Sequence, residues 1–239
     1  MEVHHKSHPI HRWREFLKEI GIIVIGVLIA LAAQQGVEGI HWANEVRDAH
    51  EGLRTEMTQA NSVFAFRVTA DSCINRRLDT LSQITERAAA HEPVPRLGPV
   101  QPDIANALID SDWEAYRASQ VLTHFKHPEL ENYGAYYDQL EHVWNWIVVE
   151  HGAWDALDRL QGDPARLGPE DFARLRDALS RARTSNKYIV LVAREELQRS
   201  ARIGIPVPGT DIGHLRVVNV DRLHKVCAPQ PVVDPAPSK

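Results

Sequence analysis

Apolar positions along this chain fall into two regimes. From Ile20 to Ala33 the sequence IGIIVIGVLIALAA runs for 14 residues without a charge. A helix rises 1.5 Å per residue, so this run covers about 21 Å against a bilayer core of about 30 Å. Phe16 and Leu17 before it, and Gln34 through Val37 after it, extend the apolar stretch, with Lys18 and Glu19 snorkelling towards headgroups. Nine of the 14 residues are Ile, Val or Leu. At about −0.3 to −0.6 kcal/mol each they contribute about −3 to −5 kcal/mol to insertion, which outweighs the flanking Gln and Gly. A core helix would carry one polar face, and this run is apolar all round. Ala30-Leu31-Ala32 has the small-x-small shape of a signal-peptide cleavage site. The preceding 19 residues, however, carry Glu2, Glu15 and Glu19, and the helical pattern continues through Gln34 and Gln35. The segment therefore reads as a retained membrane anchor over residues 20–37, with Ile20, Ile25, Gly26, Leu28 and Leu31 at its centre.

Beyond the anchor the spacing changes to that of amphipathic helices. Val46, Ala49, Leu53, Met57, Ala60, Phe64 and Val68, then Ile74, Leu78, Leu81, Ile84 and Ala88, recur at three- and four-residue steps. No proline occurs between Pro9 and Pro93, so the anchor is expected to run on into one or two long helices ending near Ala90. Pro93, Pro95, Pro99 and Pro102 mark a loop. Ser111-Asp112-Trp113-Glu114 fits a capping box opening a short helix, with Ser111 as N-cap and Glu114 reaching back. Pro128 opens a helix carrying Leu130, Tyr133, Tyr137, Leu140, Ile147, Trp154, Leu157 and Leu160, stopped by Gly162 and Pro164. Pro169-Glu170-Asp171 opens the last long helix, with Phe172, Leu175, Leu179, Ala182, Ile189, Val192 and Leu197 on one face, and Gly204 and Pro206 end it. The run Ile189–Ala193, flanked by Lys187 and Arg194, is far too short for a second span and reads as bundle interior. The last 34 residues hold six of the 14 prolines and read as loop, with a short strand or helix near Leu215–Val226. The expected class is all-α: a transmembrane helix continuing into an antiparallel helical bundle, followed by a Pro-rich irregular segment. Its divisions are a tail over 1–19, the anchor over 20–37, a helical domain over 38–204 and a loop-rich end over 205–239.

Charge adds orientation. Residues 1–19 hold Lys6, Arg12, Arg14 and Lys18, whereas residues 35–54 hold only Arg47 and Arg54. Cations collect on the cytoplasmic flank of a span, so the N-terminus is expected inside and the bulk of the chain outside the cytoplasm. Trp13 and Trp42 then fall near the two interfaces as belt residues. The whole chain has 27 Lys plus Arg against 32 Asp plus Glu, a net charge of −5, which argues against sequence-independent nucleic-acid binding. The bilayer is the expected partner. Gly26 and Ala30, and Ala32 and Gly36, lie four apart and would let two anchor helices approach closely, so a homo-oligomer or another membrane protein is a further expected partner. Only two cysteines are present, too few for a disulfide-dense domain or a four-cysteine zinc site. On the oxidising side of a membrane Cys73 and Cys227 are expected to pair.

The stretch from Trp13 to Leu31, WREFLKEIGIIVIGVLIAL, resembles the opening of a group of bacterial single-span membrane proteins with a helical extracytoplasmic region. Asp112-Trp113-Glu114-Ala115-Tyr116-Arg117-Ala118-Ser119 is similar to a Trp-centred motif of the same group. The resemblance covers about a third of the chain. It implies a Gram-negative inner-membrane location and a periplasmic domain; no activity is assigned to the group, so it implies none here.

Catalytic motifs are missing. No Gly-x-Ser-x-Gly elbow, Walker loop or Gly-x-Gly-x-x-Gly occurs. His4, His5, His8 and His11 have metal-compatible spacing, but a short solvated tail lacks packing to fix ligand geometry. Glu141-His142 and Glu150-His151 lie nine residues apart, unlike a His-Glu-x-x-His helix, and read as surface or cap residues. Asp155 and Asp158 suggest ion pairing with Arg159 or neighbours rather than an acid/base dyad. Trp144, Trp146 and Trp154 could line an aromatic pocket on their helix. No catalytic, cofactor or metal residue is assigned. The leading functional expectation is a non-enzymatic envelope protein whose helical domain binds a partner or scaffolds a complex. Its alternatives are a periplasmic small-molecule sensor acting through a membrane partner and a membrane-tethered hydrolase.

Overall fold

The computed structural model describes residues 9–104, 108, 110–207 and 220–233, with side chains from Trp13 onward. The fold is all-α. A single helix, α1, runs from Pro9 to Ala89. Its 81 residues make a rod of about 120 Å. The apolar segment expected as an anchor and the amphipathic stripe are thus one helix. Nothing in the sequence interrupts it, and its glycines at 21, 26, 36 and 39 have open space around them. From Trp13 to Ile40 its large apolar side chains are exposed, and the first fully buried residue is Ala49.

α1 ends because its C-terminal turn closes on itself. The amide of Glu92 donates to the carbonyl of Arg87, and that of His91 to Ala88, with His91 in the left-handed conformation at φ 60°. This is the hydrogen-bond pattern that glycine usually completes. Pro93 then prevents resumption. The loop runs back along α1 towards the anchor. Leu97 exchanges both backbone hydrogen bonds with Gly162, and its side chain is buried with Val100 and Ile104.

Helix α2 spans Ser111–Ala118. The capping box expected there does not form. The amides of Asp112 and Trp113 donate to Glu56 of α1 at 3.0 and 3.2 Å, the Ser111 hydroxyl donates to the same carboxylate, and Glu114 turns outward to Arg117. A buried carboxylate at the positive end of a helix satisfies two amides at once, and it displaces the local cap. Helix α3 spans His127–Leu157 and is followed by a 3₁₀ turn to Leu160. Helix α4 spans Pro169–Arg202, with Pro169 at its first position and Asp171 accepting from the Gly168 amide. Helix α5, Val220–Cys227, is the helical form of the short strand or helix expected near Leu215–Val226, whose residues 215–219 lie outside the described residues.

α4 packs against both α1 and α3, running antiparallel to each. Across the wider gap between α1 and α3, large side chains meet. Tyr137 donates to Glu56 at 2.8 Å, Tyr136 donates to Asn61 at 3.1 Å, and Arg67 donates to Glu150 at 2.7 Å. Two apolar clusters fill the interior. One, nearer the anchor, gathers Leu53, Met57, Phe64, Trp113, Tyr133 and Ile147; the other, farther out, gathers Ile74, Leu78, Leu81, Trp154, Leu157 and Phe172. Of the Ile189–Ala193 run, Ile189, Val190 and Ala193 are buried and Leu191 is exposed.

The polar link between the clusters corrects the reading of Glu150 as a surface residue. Its side chain is 1% exposed and that of Arg67 2%. Arg67 also donates to Asn186, whose amide donates to Asp71. The expected Arg159 pair is also redirected, since Arg159 bonds Asp171 at 3.1 Å across the turn. Burial and the neighbouring Asp155 hold the Asp158 carboxyl above its ordinary range.

Candidate functional site

A candidate site is built around the outer half of the folded part of α1. Cys73, Arg76, Arg77, Thr80 and Ile84 recur at helical spacing and form one wall of a cavity of about 310 Å³. Pro95 and Leu97 of the returning loop form a second wall. The third is the C-terminal segment, from Cys227 to Val232. Three kinds of contact hold that segment and the helix before it against α1 and the returning loop. The Cys73 and Cys227 sulfurs are bonded at 1.97 Å across 154 residues of sequence. Val226 is buried in the outer cluster, and Arg222 lies over the Phe66 ring at 5.3 Å while bonding Asp103 at 2.9 Å. The backbone of Pro231 accepts from Gly98, and Val233 donates to Arg96. A β-carbon at Gly98 would come within 2.9 Å of Pro231, so glycine permits this close approach.

Arg77 has an unusual environment. It is 7% exposed, and its guanidinium donates only to main-chain carbonyls, Val100 at 3.3 Å and Ala228 at 3.1 Å. Among the described residues no carboxylate pairs with it, and its Nε–H is buried without an acceptor. Burial pulls its pKa below the usual arginine value. Buried cations are ordinarily paired. Gln230, on the opposite wall, has the complementary deficit. Its amide nitrogen donates to the carbonyls of Pro99 and Pro231, which fixes the orientation of the amide, and its Oε1 is buried without a donor. Arg77 and Gln230 line the cavity beside apolar walls from Ile84, Leu97 and the disulfide, while the unpaired Nε–H and Oε1 are themselves sealed from solvent.

The tryptophans do not share a pocket. Trp154 is buried in the outer cluster, Trp146 stacks on Tyr188 with centroids 4.6 Å apart, and Trp144 faces outward beside Leu108. Helical spacing placed them on different faces. Trp42 stacks on His124 at 4.1 Å and packs against the inner cluster, joining the bundle to the emerging rod, while Trp13 is exposed beside Phe16. Ile20, Ile25, Leu28 and Leu31 are all exposed along the same rod. His142 is exposed, and His151 is half-buried with an unpaired Nε2. Among the described residues no three His, Cys, Asp or Glu side chains converge as a metal site. His4, His5 and His8 lie outside the described residues.

Sequence reasoning found Cys73 and Cys227 and missed Arg77 and Gln230. A signal for Arg77 exists: it sits between Ile74 and Leu81 on the buried stripe, where an apolar residue belongs. Comparison with protein-family models, with curated proteins and with solved structures finds no match to this chain, so the likeness of its opening to the bacterial single-span group rests on the residues quoted for it.

Proposed function

We propose that this chain is a single-span membrane protein whose helical domain stands outside the cytoplasm and acts by binding or scaffolding rather than by catalysis. One observation carries the reading. α1 holds a stretch long and apolar enough to cross a membrane, none of it is buried against the rest of the chain, and it continues without a break into the folded bundle. So large an exposed apolar surface requires a covering that the described residues do not supply. Trp13 and Trp42 are 29 residues apart on this helix, about 43 Å, close to the 40–45 Å of a bilayer with its headgroups. The four cations before the span and two after it support a cytoplasmic N-terminus. The bonded cysteine pair supports an oxidising compartment for the bundle, such as the periplasm of a Gram-negative cell.

The test is a reporter active only outside the cytoplasm, fused at residue 60 or at Lys239. Activity at both positions is expected, with an uncleaved N-terminus by mass spectrometry. Silence there together with activity of a cytoplasmic reporter refutes the orientation. The open surfaces at Gly26 and Gly36 support self-association of the anchor. Gly26→Ile and Gly36→Ile should weaken dimer crosslinks in membranes, and unchanged crosslinks would leave the anchor as a tether. The cavity beside the disulfide favours a second reading, a domain that binds a small molecule.

A further inference from the structure

We infer that the end of the bundle nearest the span, the 3₁₀ turn Val121–His124 with Lys126 beside it, rests on the phospholipid headgroups of the bilayer and holds lipid phosphate. The inference rests on the reading of α1 as a membrane span, extends it to the folded domain, and holds whichever side of the membrane that domain occupies.

Height along α1 is the first argument. Trp42 packs against the inner cluster, and its ring stacks on His124 with centroids 4.1 Å apart. The next side chain, Phe125, lies against His50 with centroids 4.4 Å apart. His50 is eight residues beyond Trp42 on the same helix, about 12 Å farther out. His124 and Phe125 therefore point in opposite directions along the rod, and the backbone between them stands about 6 Å beyond Trp42. With Trp13 and Trp42 at the two edges of the bilayer, the His124 ring lies at the level of the headgroups. The ammonium of Lys126, on its flexible stem, reaches the same level. The other elements stop farther out. Gly204, just after α4, accepts from Arg54, twelve residues beyond Trp42 and about 18 Å away along the rod. Tyr116 of α2 brings its hydroxyl to Gly52.

Charge is the second argument. From Ala115 to Pro128 the sequence has no Asp or Glu and carries Arg117, His124, Lys126 and His127, within a chain of net charge −5. Arg117 is taken by Glu114, and His127 lies 3.2 Å from Glu131. Lys126 has no ion pair among the described residues, and both it and His124 are exposed. Of the nearby α1 carboxylates, Glu45 and Asp48 face Tyr116 of α2, and Asp48 also bonds Arg47; Glu38, about one turn nearer the span, is exposed. An ammonium beside an imidazole N–H suits a phosphodiester, which offers acceptor oxygens and a negative charge.

The experiment places the full chain in nanodiscs of phosphatidylcholine and phosphatidylglycerol, with one fluorophore on Thr123→Cys, Glu170→Cys or Leu28→Cys. Lipid carrying a nitroxide on its headgroup should quench the fluorophore at Thr123. It should not quench the one at Glu170, which lies at the far end of the bundle with its side chain 90% exposed. Lipid carrying the nitroxide on its acyl chain should quench the fluorophore at Leu28. Lys126→Glu should weaken the Thr123 contact at least about fivefold, the worth of one basic charge near an anionic surface, and Lys126→Arg should keep it. Quenching at Leu28 with none at Thr123 overturns this inference and leaves the span intact, whereas no quenching at Leu28 overturns both. Quenching at Thr123 that Lys126→Glu leaves unchanged overturns the assignment of lipid phosphate to this end of the bundle.

Discussion

Replacing Arg67 by methionine tests the logic of the bundle most directly. The substitution keeps the volume and the apolar stem but leaves the Glu150 carboxylate, 1% exposed, without its cation. The Arg67 Nη2 lies 2.7 Å from Glu150 Oε1 and also donates to Asn186 at 2.9 Å. Two unit charges about 4 Å apart interact by about 4 kcal/mol at an effective dielectric near 20, and taking both from water costs several kcal/mol per ion. The pair is therefore close to neutral for stability, while either charge alone is strongly unfavourable. Arg67→Met should cost about 3–5 kcal/mol. For a folded unit of this size that lowers the melting temperature by roughly 6–20 °C, measured by circular dichroism in detergent micelles. Glu150→Leu should cost a similar amount, since it orphans Arg67. The double variant should be more stable than either single one, because it places apolar side chains between two apolar clusters. If either single variant loses under about 1 kcal/mol, or the double variant loses the sum of both, the argument that the charges matter mainly to each other is refuted.

Cys73→Ser and Cys227→Ser should lower the melting temperature by similar amounts, and the double variant should be no worse than either. The bond closes a loop of 154 residues, worth about 5 kcal/mol at most in the chain-entropy model, and scanning calorimetry with and without reductant reads it. His91→Gly should stabilise by about 0.5–1 kcal/mol in urea unfolding, because glycine adopts φ 60° without the penalty a β-carbon carries, and the exposed imidazole is replaced at no loss of packing. Burial raises the pKa of Glu196 above that of an exposed glutamate, although Arg199 opposes the shift. A raised folded-state pKa means stability is fully present below the unfolded pKa and is lost as pH rises through the folded one. Glu196→Gln should therefore melt above the parent at pH 7 and with it near pH 4; an equal difference at both pH values would refute the assignment.

Much of the architecture was determined by the sequence alone. The long apolar segment at the start of α1 was legible because Ile20–Ala33 is apolar on every side, a property that needs no partner to interpret. The core stripe of α1 was legible because Leu53, Met57, Ala60, Phe64, Ile74, Leu78 and Leu81 keep helical spacing, and the helix boundaries followed Pro, Gly and acidic first-turn residues. What only tertiary structure decided are the charges within that stripe. Glu56, Arg67 and Arg77 occupy the buried face of α1, each three residues after an apolar core position. Periodicity can place such a residue on the stripe, as it does Arg77, but does not say what answers its charge, and local rules give Ser111 to its own helix and Arg159 to its sequence neighbours. Each charge is instead answered from far along the chain: Glu56 by the amides of α2 and by Tyr137, Arg67 by Glu150, Arg77 by the carbonyls of Val100 and Ala228. The physical reason is that a hydrophobic period reports which side of a helix leaves water, a local property. Whether a charge on that side is tolerable depends on what packs against it, and here those partners lie 23 to 151 residues away.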